Sequence, residues 1–308
     1  MKKTMKRSLV LLLCMSLVLS LLLAGCSQKP ATEISAQPEG PKEEKITLKV
    51  WHQWSNDSND LKRIYTQAVE KYMGDHPNVT IETDTLETEA YKTKISTAFA
   101  GNSADVDVFY YWGGGKARKL VEAGKLLPLD EYLKDGTMDK IVTGSTSAFT
   151  YDGKVYSLPM FSWNMVLYCN KEIFDANNVK IPTTYDELLD ACKKLSAKGV
   201  LPLVVGAQDG WNAAFVYEAL ALKEVGAEKI NAYLSGKGGF DDPGFAEAAR
   251  KLQELAAAGA FGKNALATSH DEADSTFVVG KAAMRLMGSW YAGNIYTGKD
   301  SVVKDKVV

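Results

Sequence analysis

Apolar and polar residues alternate through Ile46-Thr47-Leu48-Lys49-Val50-Trp51, as they do along a strand with one covered face. The period then lengthens. Between residues 58 and 73, Leu61, Ile64, Tyr65, Ala68, Val69, Tyr72 and Met73 share one face of a helix. Asp75-His76-Pro77-Asn78 breaks that helix, residues 79–83 return to strand, and residues 90–100 predict a second helix closed by Gly101-Asn102. A third strand is expected over 106–111. Parallel strands need a crossover at each step, so this alternation predicts a mostly parallel sheet with helices on its faces.

The alternation resumes further on. Residues 120–133 predict a helix, a turn and a short second helix. Asp152-Gly153, between Tyr151 and Tyr156, marks a hairpin, because a two-residue hairpin turn needs positive φ at both positions. A strand is expected over 166–170. A helix follows over 184–198, with Thr184 as its cap and Glu187 as the reciprocal partner. Residues 201–205 read as strand, and 213–225, 228–234 and 243–258 as helices. Residues 282–287 close as a strand leading into Gly288-Ser289-Trp290. There is no internal repeat.

The N-terminus follows a different pattern. Lys2, Lys3, Lys6 and Arg7 precede an apolar run over 9–24, broken only by two serines and ending in Leu23-Ala24-Gly25-Cys26. The run has the length of a signal segment and is short for a membrane span. Its end resembles a bacterial lipobox: small residues before a cut, and a thiol after it that receives lipid. Residues 1–25 are therefore expected to be a signal peptide and Cys26 the lipidated residue. The alternative is a membrane anchor with an incidental cysteine. Residues 26–45 are polar with three prolines, as in a flexible tether. Such a chain is exported and anchored to the outer face of the cytoplasmic membrane.

Composition narrows the class. Of 308 residues, 46% are hydrophobic and 24% charged, which is ordinary for a globular chain long enough for two lobes. Without the four basic residues of the leader the chain stands at −6, which disfavours a nucleic-acid partner. Of the four cysteines, Cys14 leaves with the leader and Cys26 carries lipid. Cys169 and Cys192 are left as either a disulfide or two buried thiols.

Several segments in order resemble the family-1 extracellular solute-binding proteins, the sugar-binding subunits of ABC importers. They are Leu48-Lys49-Val50-Trp51-His52-Gln53-Trp54-Ser55, Ala104-Asp105-Val106-Asp107-Val108-Phe109, and Gly124-Lys125-Leu126-Leu127-Pro128-Leu129-Asp130. Tyr151-Asp152-Gly153-Lys154-Val155-Tyr156-Ser157-Leu158-Pro159 resembles the first crossing between lobes. Phe277-Val278-Val279-Gly280-Lys281-Ala282-Ala283-Met284 followed by Gly288-Ser289-Trp290 resembles the return crossing. Tyr168-Cys169-Asn170-Lys171-Glu172-Ile173-Phe174 and Pro182-Thr183-Thr184-Tyr185-Asp186-Glu187-Leu188 match the second lobe.

The resemblance implies an α/β, two-lobed periplasmic-binding-protein-like fold of type II, with a ligand cleft between lobes joined by hinge strands. It places residues 46–153 and 278–308 in a first lobe and 154–277 in a second. Family members continue past the return strand, so the second lobe is expected to be incomplete in a chain ending at Val308. The implied function is capture of a carbohydrate, most simply an oligosaccharide, by a monomer that delivers it to ABC permease subunits, without cofactor or metal. Two rivals share the anchor: a secreted carbohydrate-active enzyme and a glycan-sensing lipoprotein.

A sugar presents flat C–H faces and a rim of hydroxyls, which aromatic rings and planar amides or carboxylates respectively match. Trp54 follows the first strand, Trp112 the third, Trp211 the strand at 201–205 and Trp290 the return strand, while Trp163 follows the first crossing. Open α/β sheets bind at such strand ends. Ligand contacts are expected from Trp54, Ser55, Glu87, Trp112, Gly113, Trp163, Asn164, Gln208, Trp211 and Trp290. Trp51 reads equally well as core. Glu87 reads more readily as a solvated charge, and the glycines at 113–115 read also as a plain turn. Of the three histidines, His76 and His270 read as surface residues and His52 as a candidate for the cleft. No HExxH, GxSxG or phosphate-loop pattern occurs.

Overall fold

The computed structural model describes residues 44–56 and 60–308. The signal segment, Cys26 and the tether up to residue 43 lie outside the described residues. Two small sheets organise the rest.

The first sheet has the order β2-β1-β3, with β1 (Ile46–His52) in the middle. β1 runs parallel to β2 (Val79–Thr85) over seven pairs, from Ile46↔Val79 to His52↔Thr85. It also runs parallel to β3, which pairs only over Val108–Phe109 and not over all of 106–111. Helix α1 (Asp60–Asp75) crosses from β1 to β2, and α2 (Thr88–Ala100) crosses from β2 to β3. The apolar stripe of α1 is only partly covered, with Ile64 and Tyr72 exposed. In α2, Tyr91, Ile95 and Ala98 recur at helical spacing and are buried. The Tyr91 hydroxyl lies between the carbonyls of Trp51, at 3.1 Å, and Tyr110, at 2.6 Å, which pins α2 to the strand ends.

Helix α3 (Gly115–Glu122) begins earlier than the periodicity predicts. The hairpin pairs β4 (Thr150–Tyr151) with β5 (Lys154–Val155). Asp152 and Gly153 have φ of 50° and 78°, the double positive φ that this turn requires.

The second sheet has the order β6-β8-β7. β6 (Met165–Cys169) is antiparallel to β8 (Ala282–Gly288), and β7 (Leu201–Leu203) is parallel to it. This corrects the expected lobe boundary: the return strand pairs in the second sheet, and Tyr291, Ile295 and Val303 after it pack with Tyr168, Phe277 and Ala282. Val302 N–H donates to the Val278 carbonyl, and Cys169 and Val308 exchange both backbone hydrogen bonds beside β6. The physical reason lies in β8 itself. Six of its seven residues are buried, so it needs cover on both faces, and only the middle of a helix-flanked sheet gives that.

Helices α4 (Lys171–Ala176), α5 (Tyr185–Ala197), α6 (Trp211–Val225), α7 (Ala227–Leu234), α8 (Pro243–Ala257) and α9 (His270–Val278) surround this sheet, and α10 (Ala292–Tyr296) follows it. Two core clusters form around it. One gathers Cys169, Phe174, Leu195, Leu203, Leu255 and Met284. The other gathers Tyr168, Phe277, Ala282, Met287, Tyr291 and Ile295. Cys169 and Cys192 are buried free thiols, not a disulfide, and burial pushes each up to about 12. The Thr184 side chain caps α5 by accepting from Glu187 N–H at 3.2 Å. The Glu187 carboxylate returns the contact one residue early, to Thr183 N–H at 2.8 Å.

Candidate functional site: an aromatic ring between two sheets

Trp54, Trp112, Trp211 and Trp290 all leave the carboxyl ends of their strands, where open α/β sheets receive ligands. Their rings meet through intermediates. Trp54 packs edge-on to Phe161 at 5.5 Å, and Phe161 stacks on Trp163 at 5.1 Å. Trp163 meets Trp290 at 5.4 Å, Trp290 meets Phe215 at 6.2 Å, and Phe215 meets Trp211 at 5.3 Å. The Lys92 ammonium lies 5.0 Å from the Trp211 ring centre and 5.5 Å from that of Trp112. Trp112 then meets Tyr110 at 5.4 Å, and Tyr110 returns to Trp54 at 5.2 Å. The contacts close on themselves. Trp54, Tyr110, Trp112 and Lys92 come from the side of the first sheet and Trp211, Phe215 and Trp290 from the side of the second.

Members of the ring differ in what they can offer. Trp54 is 3% exposed, stacked on His52 at 4.7 Å and flanked by Tyr65, so it is a wall and not a free platform. Trp112, Trp211 and Trp290 are half-buried, and Trp163 is 36% exposed. Trp51 lies off the ring, with Lys94 over its face.

The polar residues expected at the site are placed more loosely. Ser55 is exposed, and its backbone carbonyl accepts from Lys62 at 3.0 Å. Glu87 caps α2, its carboxylate accepting Glu89 N–H at 3.2 Å. A Cβ on Gly113 would fall 2.6 Å from the Ala148 carbonyl, so this glycine permits a close approach of two backbones. Asn164 uses its backbone, accepting Ser289 N–H at 2.8 Å, while its side chain is exposed. Gln208 is exposed too, and its N–H donates to the Thr268 carbonyl.

Behind Trp211 stands a buried polar group that the pattern did not announce. Arg285, in the middle of β8, is 0% exposed. Its Nε and Nη2 donate to Asp274 Oδ1 at 3.0 and 2.8 Å, and its Nη1 donates to Asn212 Oδ1 at 2.8 Å and to the Val204 carbonyl at 3.1 Å. Burial pushes the Asp274 carboxyl up, and the guanidinium pulls against it. His270 is not a surface residue. Its ring packs against Trp211 at 4.6 Å, its Nε2 lies 3.4 Å from Asp274, and its backbone N–H donates to Asp209 Oδ2 at 2.6 Å.

Phe215 was findable, since it lies one helical turn beyond Trp211. Glu89 and Lys92 had no signal beyond an ordinary charged helix face. Two surface hollows, one beside Phe99 and Phe109 and one between α5 and α8, share no residue with the ring.

The family model for bacterial extracellular solute-binding proteins matches residues 56–307. The chain belongs to that family. The solute-binding fold is the two-lobed type II form, and the family is extracellular, so the chain is exported. An ABC transporter extracellular-binding protein of Pyrococcus horikoshii is 28% identical over 96% of this chain and 69% of its own length. A structure from a study of xylan utilization by the thermophilic bacterium Caldanaerobius polysaccharolyticus is 41% identical, with a TM-score of 0.78 over 85% of this chain and 66% of that one. A chitin oligosaccharide binding protein is 27% identical, with a TM-score of 0.76 over the same shares. This solute-binding chain thus spans about two-thirds of the solved proteins it resembles. Among its described residues no helix is long and apolar enough to cross a membrane.

Proposed function

We propose that this solute-binding protein captures an oligosaccharide released from xylan and delivers it to the permease of an ABC importer. The aromatic ring at the strand ends carries the reading. Rings from both sheets face one seam, so a sugar stacked on one side is bridged to the other. Binding energy of that kind biases a hinge towards closure. The 41% identical relative from xylan utilization supports the choice of sugar. Lipid on Cys26 would hold the protein beside its permease and raise the effective concentration there. No catalytic step is part of this reading, and one copy of the chain suffices for it.

The test is intrinsic tryptophan fluorescence of the full-length protein in detergent, titrated with xylo-, chito- and malto-oligosaccharides. A saturable change with the xylo series is expected, lost in Trp290→Ala and Trp163→Ala. A folded protein that responds only to another series overturns the sugar, and one that responds to none overturns the capture. Release of shorter sugars during the titration would favour the enzyme. Cys26→Ala is expected to abolish incorporation of labelled fatty acid into the protein, and incorporation that persists would overturn the lipid anchor.

A further inference from the structure

One carboxylate oxygen joins the two lobes. Glu89 Oε1 accepts the Trp211 indole N–H at 2.9 Å and pairs with Lys92 Nζ at 2.7 Å. The same ammonium stands over the rings of Trp211 and Trp112, at 5.0 and 5.5 Å. Glu89 and Lys92 are one turn apart on α2, and Trp211 opens α6. Both mounts are rigid. Tyr91, between the two charged residues, pins α2 to the first sheet. Asn212, next to Trp211, is held by Arg285 and by Gly206 N–H at 2.8 Å. A contact between rigid mounts on opposite sides of a hinge resists opening directly.

The contacts also copy those of a ligand. A carboxylate on an indole N–H stands where a sugar hydroxyl would, and a cation over two rings stands where a sugar face would. The Trp112–Trp211 arc is thus already occupied. The opposite arc is different: among the described residues no cation lies over Phe161, Trp163 or Trp290, and Trp163 keeps 36% of its surface open.

We infer that Glu89 and Lys92 are the latch by which the lobes hold each other without ligand, and that oligosaccharide stacks on the Trp163–Trp290 arc. The second half rests on the capture reading; the first does not. Hydrogen exchange of the full-length protein in detergent, without sugar, tests the latch. In Glu89→Ala and Lys92→Ala, peptides around residues 208–216 should exchange about 10-fold faster, the scale of a charge-assisted hydrogen bond or a desolvated cation–π contact, while peptides of β6 and β8 stay unchanged. Acceleration confined to α2 overturns the latch. Titration with xylo-oligosaccharide tests the arcs. Trp163→Ala and Trp290→Ala should abolish a saturable response that the two α2 variants retain, and the reverse pattern overturns the assignment. If no xylo-oligosaccharide binds the wild type, the capture reading falls, and the exchange result decides the latch by itself.

Discussion

Gly288 and Trp290 claim the same volume: a Cβ built on Gly288 would lie 1.8 Å from Cζ3 of the Trp290 ring. The indole folds back over the end of β8, and only the bare α-carbon makes room for it. Gly288 has φ −67° and ψ 155°, a conformation open to any residue, and the three atoms nearest the added Cβ all belong to the Trp290 ring. Gly288→Ala is expected to displace Trp290 while changing the unfolding midpoint little. The proposed sugar response should weaken several-fold. An unchanged titration would separate Trp290 from ligand binding.

Gly113 makes the opposite case. Its close neighbour is the Ala148 carbonyl, which cannot swing away as a ring can, and which also accepts Gly114 N–H at 2.7 Å. Gly113→Ala should cost about 1–3 kcal/mol of stability through backbone displacement. Urea unfolding of both glycine variants side by side checks the contrast, and equal losses would contradict it.

Arg285 and Asp274 should be hard to remove singly. Arg285→Met leaves a buried carboxylate without its partner, and a loss of about 3–5 kcal/mol is expected. Asp274→Asn alone leaves the guanidinium short of its counter-charge. The double variant, Arg285→Met with Asp274→Asn, should recover part of the loss. Strictly additive losses in a double-mutant cycle would show that the two groups are not coupled.

His52 gives stability a pH dependence. It is 2% exposed, and its Nδ1 accepts Trp54 N–H at 3.1 Å, so the ring is neutral in the folded chain. Burial first, and the Lys62 charge second, lower its pKa from 6.5 to about 4. Between those values the unfolded chain binds a proton that the folded chain refuses. Stability therefore rises with pH through this window and is lost on acidification, by no more than about 3 kcal/mol from this group. Denaturant midpoints between about pH 5 and pH 7 should flatten in His52→Gln. An unaltered slope would assign the dependence elsewhere.

The first sheet was legible because each strand and helix of its βαβ units carried its own period. The order of the second sheet was not, because a strand buried on both faces carries no alternation to say which sheet takes it. Ser269-His270-Asp271-Glu272 holds a capping signature, and Ser269 does accept Glu272 N–H at 3.2 Å. The signature alone predicts no helix there, because α9 has too few apolar residues to show a period. Tryptophans after strand ends were readable as a group from fold logic alone. Their partners were not: nothing local marks Phe161 as the link to Trp54, or Glu89 as the acceptor for an indole 122 residues away.

The ring of aromatic contacts, closed through Lys92, has an optical consequence. Trp163 and Trp290 lie 5.4 Å apart, with Trp211 one phenyl ring further on. Excitation energy passes between indoles at such separations far faster than it is emitted, so light absorbed at one ring leaves from whichever neighbour has the lowest excited state. The tryptophans on this side of the seam behave as one chromophore. A solute that touches the emitting ring changes the colour of the whole set, and deleting that indole alters emission by more than its share.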